Sequence, residues 1–172
     1  MREYLEQGYN SSPDARTWET LRQYCYYVAG IVGELLTDIF IYRLRPVPLQ
    51  EHELRRLARA FGEGLQLVNI LKDSHTDETE GRNYLPRNLD RGAISAQARK
   101  DLIDARTYSQ ILEDAGAEKG VRAFILIPIQ LAQETLNRID AFGPGAKLSR
   151  GEVKTIVEQV EAKLEEQLFS EE

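Results

Sequence analysis

The chain has 172 residues, 42% of them apolar and 29% charged, a size and balance that suit one folded domain with a buried core rather than a disordered polypeptide. Its net charge of −6, with no basic block, speaks against a nucleic-acid partner, so an anionic ligand would have to be met by local groups or metal ions. Cys25 is the single cysteine, which excludes an intrachain disulfide, and with only His52 and His75 beside it a zinc site cannot be assembled.

The N-terminus, Met1 to Ser12, is polar and carries no apolar signal-peptide core. The first predicted helix runs from about Pro13 to Tyr42, with Asn10, Ser11 and Ser12 as capping candidates and Arg45-Pro46-Val47-Pro48 as its stop. A second runs from about Gln50 to Asp77, where Leu54, Leu57, Ala58, Phe61, Leu65, Val68 and Leu71 recur at three- and four-residue steps and mark a core face. A polar segment from Glu78 to Gly92 follows. The third helix starts near Ser95 and ends before Gly116. The fourth spans about Glu118 to Phe142, with a bend expected at Pro128. After Gly143-Pro144-Gly145, Ser149 and Glu152 fit a capping box for a last helix ending near Phe169. The longest strongly apolar stretch, Ala123 to Ala132, contains Pro128 and Gln130 and falls far short of the ~20 residues of a membrane helix. The expectation is an all-α, cytoplasmic, soluble protein of about five helices forming a single domain over residues 1–172.

The chemistry concentrates on the second helix. Gln66, Asn69, Asp73 and Asp77 are spaced by three, four and four residues and fall within roughly an 80° arc of one face. Two carboxylates and two amides offer hard oxygen donors, which suit magnesium together with water and phosphate oxygens. A DxxxD pair on a helix is, by itself, more often a solvated face. Arg82 follows and is able to grip phosphate in a fork, or is simply a solvated loop arginine; Tyr84 equally reads as a buried anchor for that loop. On the first helix Ala29, Gly30 and Gly33 are small, and Tyr24, Val28, Ala29, Val32, Gly33 and Leu36 fall within half of its circumference. They would line an apolar trough with one aromatic ring at its end, able to shelter a carbocation from water, or they mark close helix packing. Cys25 reads as a small packed hydrophobe, Trp18 and Phe61 as core, and His75 as structural or solvent-facing.

The stretch GEGLQLVNILKDSHTDETEGRNYLP, Gly62 to Pro86, resembles the second aspartate-rich motif of squalene and phytoene synthases, a pattern close to QLxNIxxDxxxDxxxGRxYLP. YCYYVAGIVGELLTDIF, Tyr24 to Phe40, resembles the same family's YCxxVAGxVG segment; GVRAFILIPIQLAQETLNRI and KLSRGEVKTIV resemble its final helices more weakly. The resemblance implies a helical isoprenoid-synthase-type bundle and a transferase that joins two prenyl diphosphates, farnesyl or geranylgeranyl, head to head. It implies Mg2+ held by Asp73, Asp77 and Asn69, catalytic roles for Asp73, Asp77 and Tyr24, and substrate contacts from Val28, Ala29, Val32, Gly33, Gln66, Asn69, Arg82 and Tyr84. The implied reaction passes through a cyclopropylcarbinyl diphosphate. NADPH is needed only if the product is squalene, and no dinucleotide glycine fingerprint is present. Lys147 and Arg150 stand where a basic residue would help hold a diphosphate, or are a solvated helix start.

The family also carries an earlier DxxxD motif, which is absent from the residues before Tyr24. The chain is therefore expected to correspond to the C-terminal part of the catalytic domain, weak or inactive alone, with exposed apolar patches and a second chain supplying the missing helices. Peripheral membrane association through a lipid product is the other partner expectation. The rival reading is a non-catalytic helical partner that keeps the face and lacks the chemistry.

Overall fold

The computed structural model describes residues 17–79, 84–85 and 89–169, and the description below is of these. They form five helices and, among them, no strand: α1 (Trp18–Leu44), α2 (Pro48–Thr79), α3 (Arg91–Asp114), α4 (Lys119–Phe142) and α5 (Arg150–Phe169). The all-α reading holds.

Helix α1 begins later than its composition suggested. Thr17 is extended, at φ −111° and ψ 172°, and its side chain accepts from the Thr20 backbone while the Thr20 hydroxyl accepts from the Thr17 amide. This reciprocal cap fixes the start at Trp18. The expected caps Asn10, Ser11 and Ser12, and Pro13, lie outside the described residues. Within α1 the segment Tyr26–Gly30 is π-helical, so one extra residue is accommodated in that turn. The helix stops at Arg45, which takes the left-handed conformation (φ 51°) ahead of Pro46. Helix α2 starts at Pro48, a residue suited to a first turn, two residues earlier than expected.

Helix α2 is the centre of the fold. It packs chiefly on α3, crosses α1 on one side and touches α4 on another. Leu54, Leu57, Ala58, Phe61, Val68 and Leu71 are buried as their spacing predicted, and meet Ile94, Leu102, Ile125 and Leu136 from α3 and α4. The α1–α2 crossing is set by small residues: a Cβ on Gly33 would lie 2.0 Å from the Ala58 carbonyl oxygen, and one on Gly62 2.1 Å from that of Ala29.

Helix α3 starts at Arg91 rather than near Ser95, because Asp90 accepts from the Gly92 amide and caps it. Helix α4 runs through Pro128 without a break. Ser149 and Glu152 form the expected box before α5: the Ser149 amide donates to Glu152 and the Glu152 amide to the serine hydroxyl.

Several buried polar groups pair across the helices. Arg22 on α1 spans Glu63 on α2 (2.6 Å) and Asp101 on α3 (2.5 Å), both carboxylates being buried, and Gln97 donates to Asp101 at 2.8 Å. Thr37 donates to the Gly33 carbonyl and shares a hydrogen bond of 2.9 Å with the Tyr108 hydroxyl.

The outer side of α1 is different. Val28, Ile31, Val32, Leu35, Ile39 and Tyr42 are all exposed, from 37% to 81%. Over its 27 residues α1 is long and apolar enough, by length and composition, to cross a membrane. The segment Ala123 to Ala132 is therefore not the most membrane-like part of the chain. Glu34 and Asp38 interrupt the apolar composition of α1 but pair with Arg59 and Arg55 on α2.

Candidate active site

The C-terminal end of α2 carries Gln66, Asn69, Asp73 and Asp77 in successive turns. Gln66, Asp73 and Asp77 are half-buried and Asn69 is exposed. Between two of them stands a residue the sequence reading passed over. Lys72 places its ammonium 3.3 Å from an Asp73 oxygen and 3.4 Å from the Asn69 carbonyl oxygen. A cation of the chain itself thus sits against two of the hard oxygen donors. Among the described residues no group of three or more His, Cys, Asp or Glu side chains gathers to form a metal site. The donor set fits magnesium in its usual manner, with one or two carboxylates and the remaining positions filled by water and phosphate oxygens.

An aromatic pair stands near this end of α2, one ring within reach of the Asp77 charge. Tyr24 from α1 and Tyr84 from the segment after α2 lie with centroids 5.1 Å apart and planes tilted by 30°. Burial pushes the Tyr24 phenol well above its usual value, with Tyr84 and Cys25 adding to the rise and the nearby negative charge of Asp77 adding further. The phenol therefore stays protonated, a neutral hydrogen-bonding group beside the Asp77 carboxylate. Tyr84 is half-buried and does anchor its segment, packing on the core together with Leu85. Arg82 and the side chain of His75 lie outside the described residues.

The remaining wall residues separate into two sets. Val28 and Val32 are exposed, at 40% and 49%, and stand open on the outer face of α1. Ala29 and Gly33 lie in the crossing with α2, where the Ala29 carbonyl faces Gly62 and Gly33 faces the Ala58 carbonyl. The small residues thus serve helix contact, while the valines provide the open apolar surface. The π turn lies between Tyr24 and Val32 and so sets the angle between the aromatic end and the aliphatic end of that surface. It is braced by Tyr26, whose hydroxyl donates to Glu34 at 3.0 Å while the Arg59 guanidinium lies 4.1 Å over its ring.

The loop before α5 closes against this end of the molecule. The Gly145 amide donates to the Lys72 carbonyl at 3.1 Å, and both Gly143 and Gly145 hold positive φ there. Lys147 and Arg150, a few residues on, are exposed. A second missed basic residue is Arg91, the first of α3, which donates to the buried Ser74 hydroxyl one residue after Asp73. Neither Lys72 nor Arg91 belongs to a periodic pattern that a sequence pass would single out.

Residues 1–93 match the family model for squalene/phytoene synthase. A squalene synthase of Gibberella zeae is 35% identical over 89 residues, covering 52% of this chain and 19% of the relative. The chloroplastic phytoene synthase of Narcissus pseudonarcissus is 40% identical over 74 residues, 42% of this chain and 17% of the relative. A bifunctional lycopene cyclase/phytoene synthase of Neurospora crassa is 44% identical over 68 residues, 38% and 11%. The chain thus spans less than a fifth of the length of these curated relatives in the matched region. Helices α4 and α5, and nearly all of α3, lie beyond the family match.

Proposed function

Because the chain belongs to the squalene/phytoene synthase family, we propose that it carries the second aspartate-rich half of a head-to-head prenyl transferase site and binds the diphosphate of a farnesyl- or geranylgeranyl-type donor. The observation that carries the reading is the half-buried Asp73 and Asp77 on α2 with Tyr24, paired to Tyr84, near Asp77. Magnesium, when bound, would supply the positive charge that offsets a leaving diphosphate. Asp73, Asp77 and the Asn69 amide oxygen would hold it, and Lys72 would move from those oxygens toward the phosphate. Tyr24, kept protonated, presents its ring and hydroxyl at the boundary between the polar end and the apolar surface. Val28 and Val32 would carry the first isoprene units of the tail, and Gln66 and Arg82 would contact the diphosphate.

The cellular placement proposed with this activity is cytoplasmic and peripheral to a membrane, supported by the outward apolar face of α1. The second reading, a non-catalytic helical partner, draws on a specific observation: no third acidic side chain joins Asp73 and Asp77 among the described residues.

Binding of a farnesyl thiodiphosphate analogue, measured by calorimetry with and without magnesium, separates the two. Saturable binding that needs magnesium, and that falls at least about tenfold in Asp73→Ala and in Asp77→Ala, is the expected result, a tenfold loss corresponding to about 1.4 kcal/mol. Equal binding without magnesium, or none under any condition, favours the partner reading.

A further inference from the structure

A cavity of about 270 Å3 opens between α3, α4 and α5. It lies wholly beyond the residues matched to the family. Its charged lining is Arg106 and Glu113 from α3, Arg122 from α4 and Lys163 from α5, three cations against one carboxylate in a chain whose net charge is −6. Glu113 is committed to Arg122: their side chains meet at 2.5 Å, and Arg122 is buried to 6% exposure.

Arg106 is held differently. A single nitrogen, Nη2, donates to the side-chain oxygens of Gln130 at 2.5 Å and Gln133 at 2.7 Å. Both acceptors are neutral amides. They fix the guanidinium in place without cancelling its charge, and they leave Nη1 and Nε outside these two bonds. Gln130 is itself held by its own amide donating to Glu134 at 3.1 Å, so the support under Arg106 is rigid. Lys163 stands exposed at the rim, one residue before the buried Leu164. Leu126, Val160 and Leu164 give the cavity an apolar side.

A half-buried, pre-oriented guanidinium with a neutral support, a second cation across the opening and an aliphatic wall together form a receptor for negative charge attached to a small apolar body. We propose that this cavity binds a small organic dianion, a phosphate monoester or a dicarboxylate, with Arg106 and Lys163 gripping the charged end and Leu126, Val160 and Leu164 receiving the aliphatic part. This site needs no magnesium and is independent of Asp73 and Asp77.

Inorganic phosphate and succinate, titrated separately into the 172-residue chain at low ionic strength with EDTA present, test it by two-dimensional NMR. Saturable shifts of the Gln130 and Gln133 side-chain amides are expected, and the anion that binds tighter identifies the headgroup. Arg106→Gln and Lys163→Gln should each weaken binding about tenfold or more, as the loss of a hydrogen bond to a charged group requires, whereas Asp73→Asn should leave it unchanged. Lys163 is exposed, so its variant keeps the fold and the test decisive if Arg106→Gln unfolds. Absence of saturation with both anions, or binding that Lys163→Gln leaves intact, overturns the assignment.

Discussion

Gly62→Ala puts the α1–α2 crossing to the sharpest test. A Cβ at residue 62 would stand 2.1 Å from the Ala29 carbonyl oxygen and 2.5 Å from its carbon, whereas an unstrained C···O contact is about 3.3 Å. The helices would have to part by roughly 1 Å along a seam that carries Ala29, Gly30 and Gly33 on one side and Ala58 and Gly62 on the other. The obstacle is backbone, which cannot swing aside as a side chain can. Overpacking of this kind costs about 1–3 kcal/mol and belongs at the upper end here, near 3, while alanine returns about 0.5–1 kcal/mol through its better helix propensity. The net loss, about 2 kcal/mol, corresponds to a fall in melting temperature of roughly 4–8 °C for a chain of this size. Gly120→Ala is the control: that glycine is helical, and a Cβ there meets nothing within 4 Å. It should be neutral or slightly stabilising. Thermal and urea unfolding followed at 222 nm measures both. If Gly62→Ala were as stable as Gly120→Ala, the two backbones would not be in contact and the account of Ala29 and Gly33 as packing residues would be wrong.

Three further outcomes follow from the interior. Arg22→Met strips the counter-charge from Glu63 and Asp101, both buried, and should cost about 3 kcal/mol at neutral pH. Burial pushes the Glu63 carboxyl above the usual carboxylate range against the opposing pull of Arg22, with Asp101 adding to the rise. Without Arg22 the rise is larger, so part of the lost stability should return as pH falls and Glu63 protonates. Urea midpoints at pH 7 and pH 5 check the direction, and a deficit that grows on acidification would contradict it. Cys25 is fully buried and its thiol is pushed up to about 12, chiefly by burial; at pH 8 it should resist a disulfide-exchange reagent in buffer and react within seconds in urea. Tyr108→Phe removes the bond to Thr37 but leaves Thr37 donating to Gly33, so it should cost about 1 kcal/mol in chemical denaturation. Burial raises the Tyr108 phenol from 10.0 to about 12, so the contribution of this phenol is intact below pH 10 and lost as pH climbs toward 12, a loss the phenylalanine variant should not show.

What could be read in the sequence were features that repeat or that depend on near neighbours. The core face of α2, from Leu54 to Leu71, is periodic, and its residues are buried. The Ser149–Glu152 box is a four-residue pattern and formed as written. The alignment of Gln66, Asn69, Asp73 and Asp77 is helix arithmetic. What escaped depends on partners far along the chain. Arg22 is 41 residues from Glu63 and 79 from Asp101, and nothing in its own surroundings announces a buried triad. Thr17 is a cap because the helix begins packing just after it, which Leu21 and Cys25 decide from inside. The π turn at Tyr26–Gly30 leaves no mark in composition, yet it shifts every residue after it by part of a turn.

The trough on α1 divides between neighbouring residues. On a regular helix Ala29, Val32 and Gly33 share a half-circumference with Val28, so one face appears to do one job. Yet Val28 and Ala29, and again Val32 and Gly33, stand about 100° apart on the helix, so Ala29 and the glycines turn to α2 while the valines turn outward. The π turn at Tyr26–Gly30 is a separate feature of that helix, lying between its aromatic end and its open aliphatic surface. The test lies in the turn itself. Tyr26→Ala removes the ring under Arg59 and the hydroxyl on Glu34, and should increase amide exchange locally across Tyr26–Gly30 while the remainder of α1, and helices α2 and α3, stay protected. Uniform loss of protection throughout the bundle would mean that the turn is a by-product of global packing and not a separately braced element.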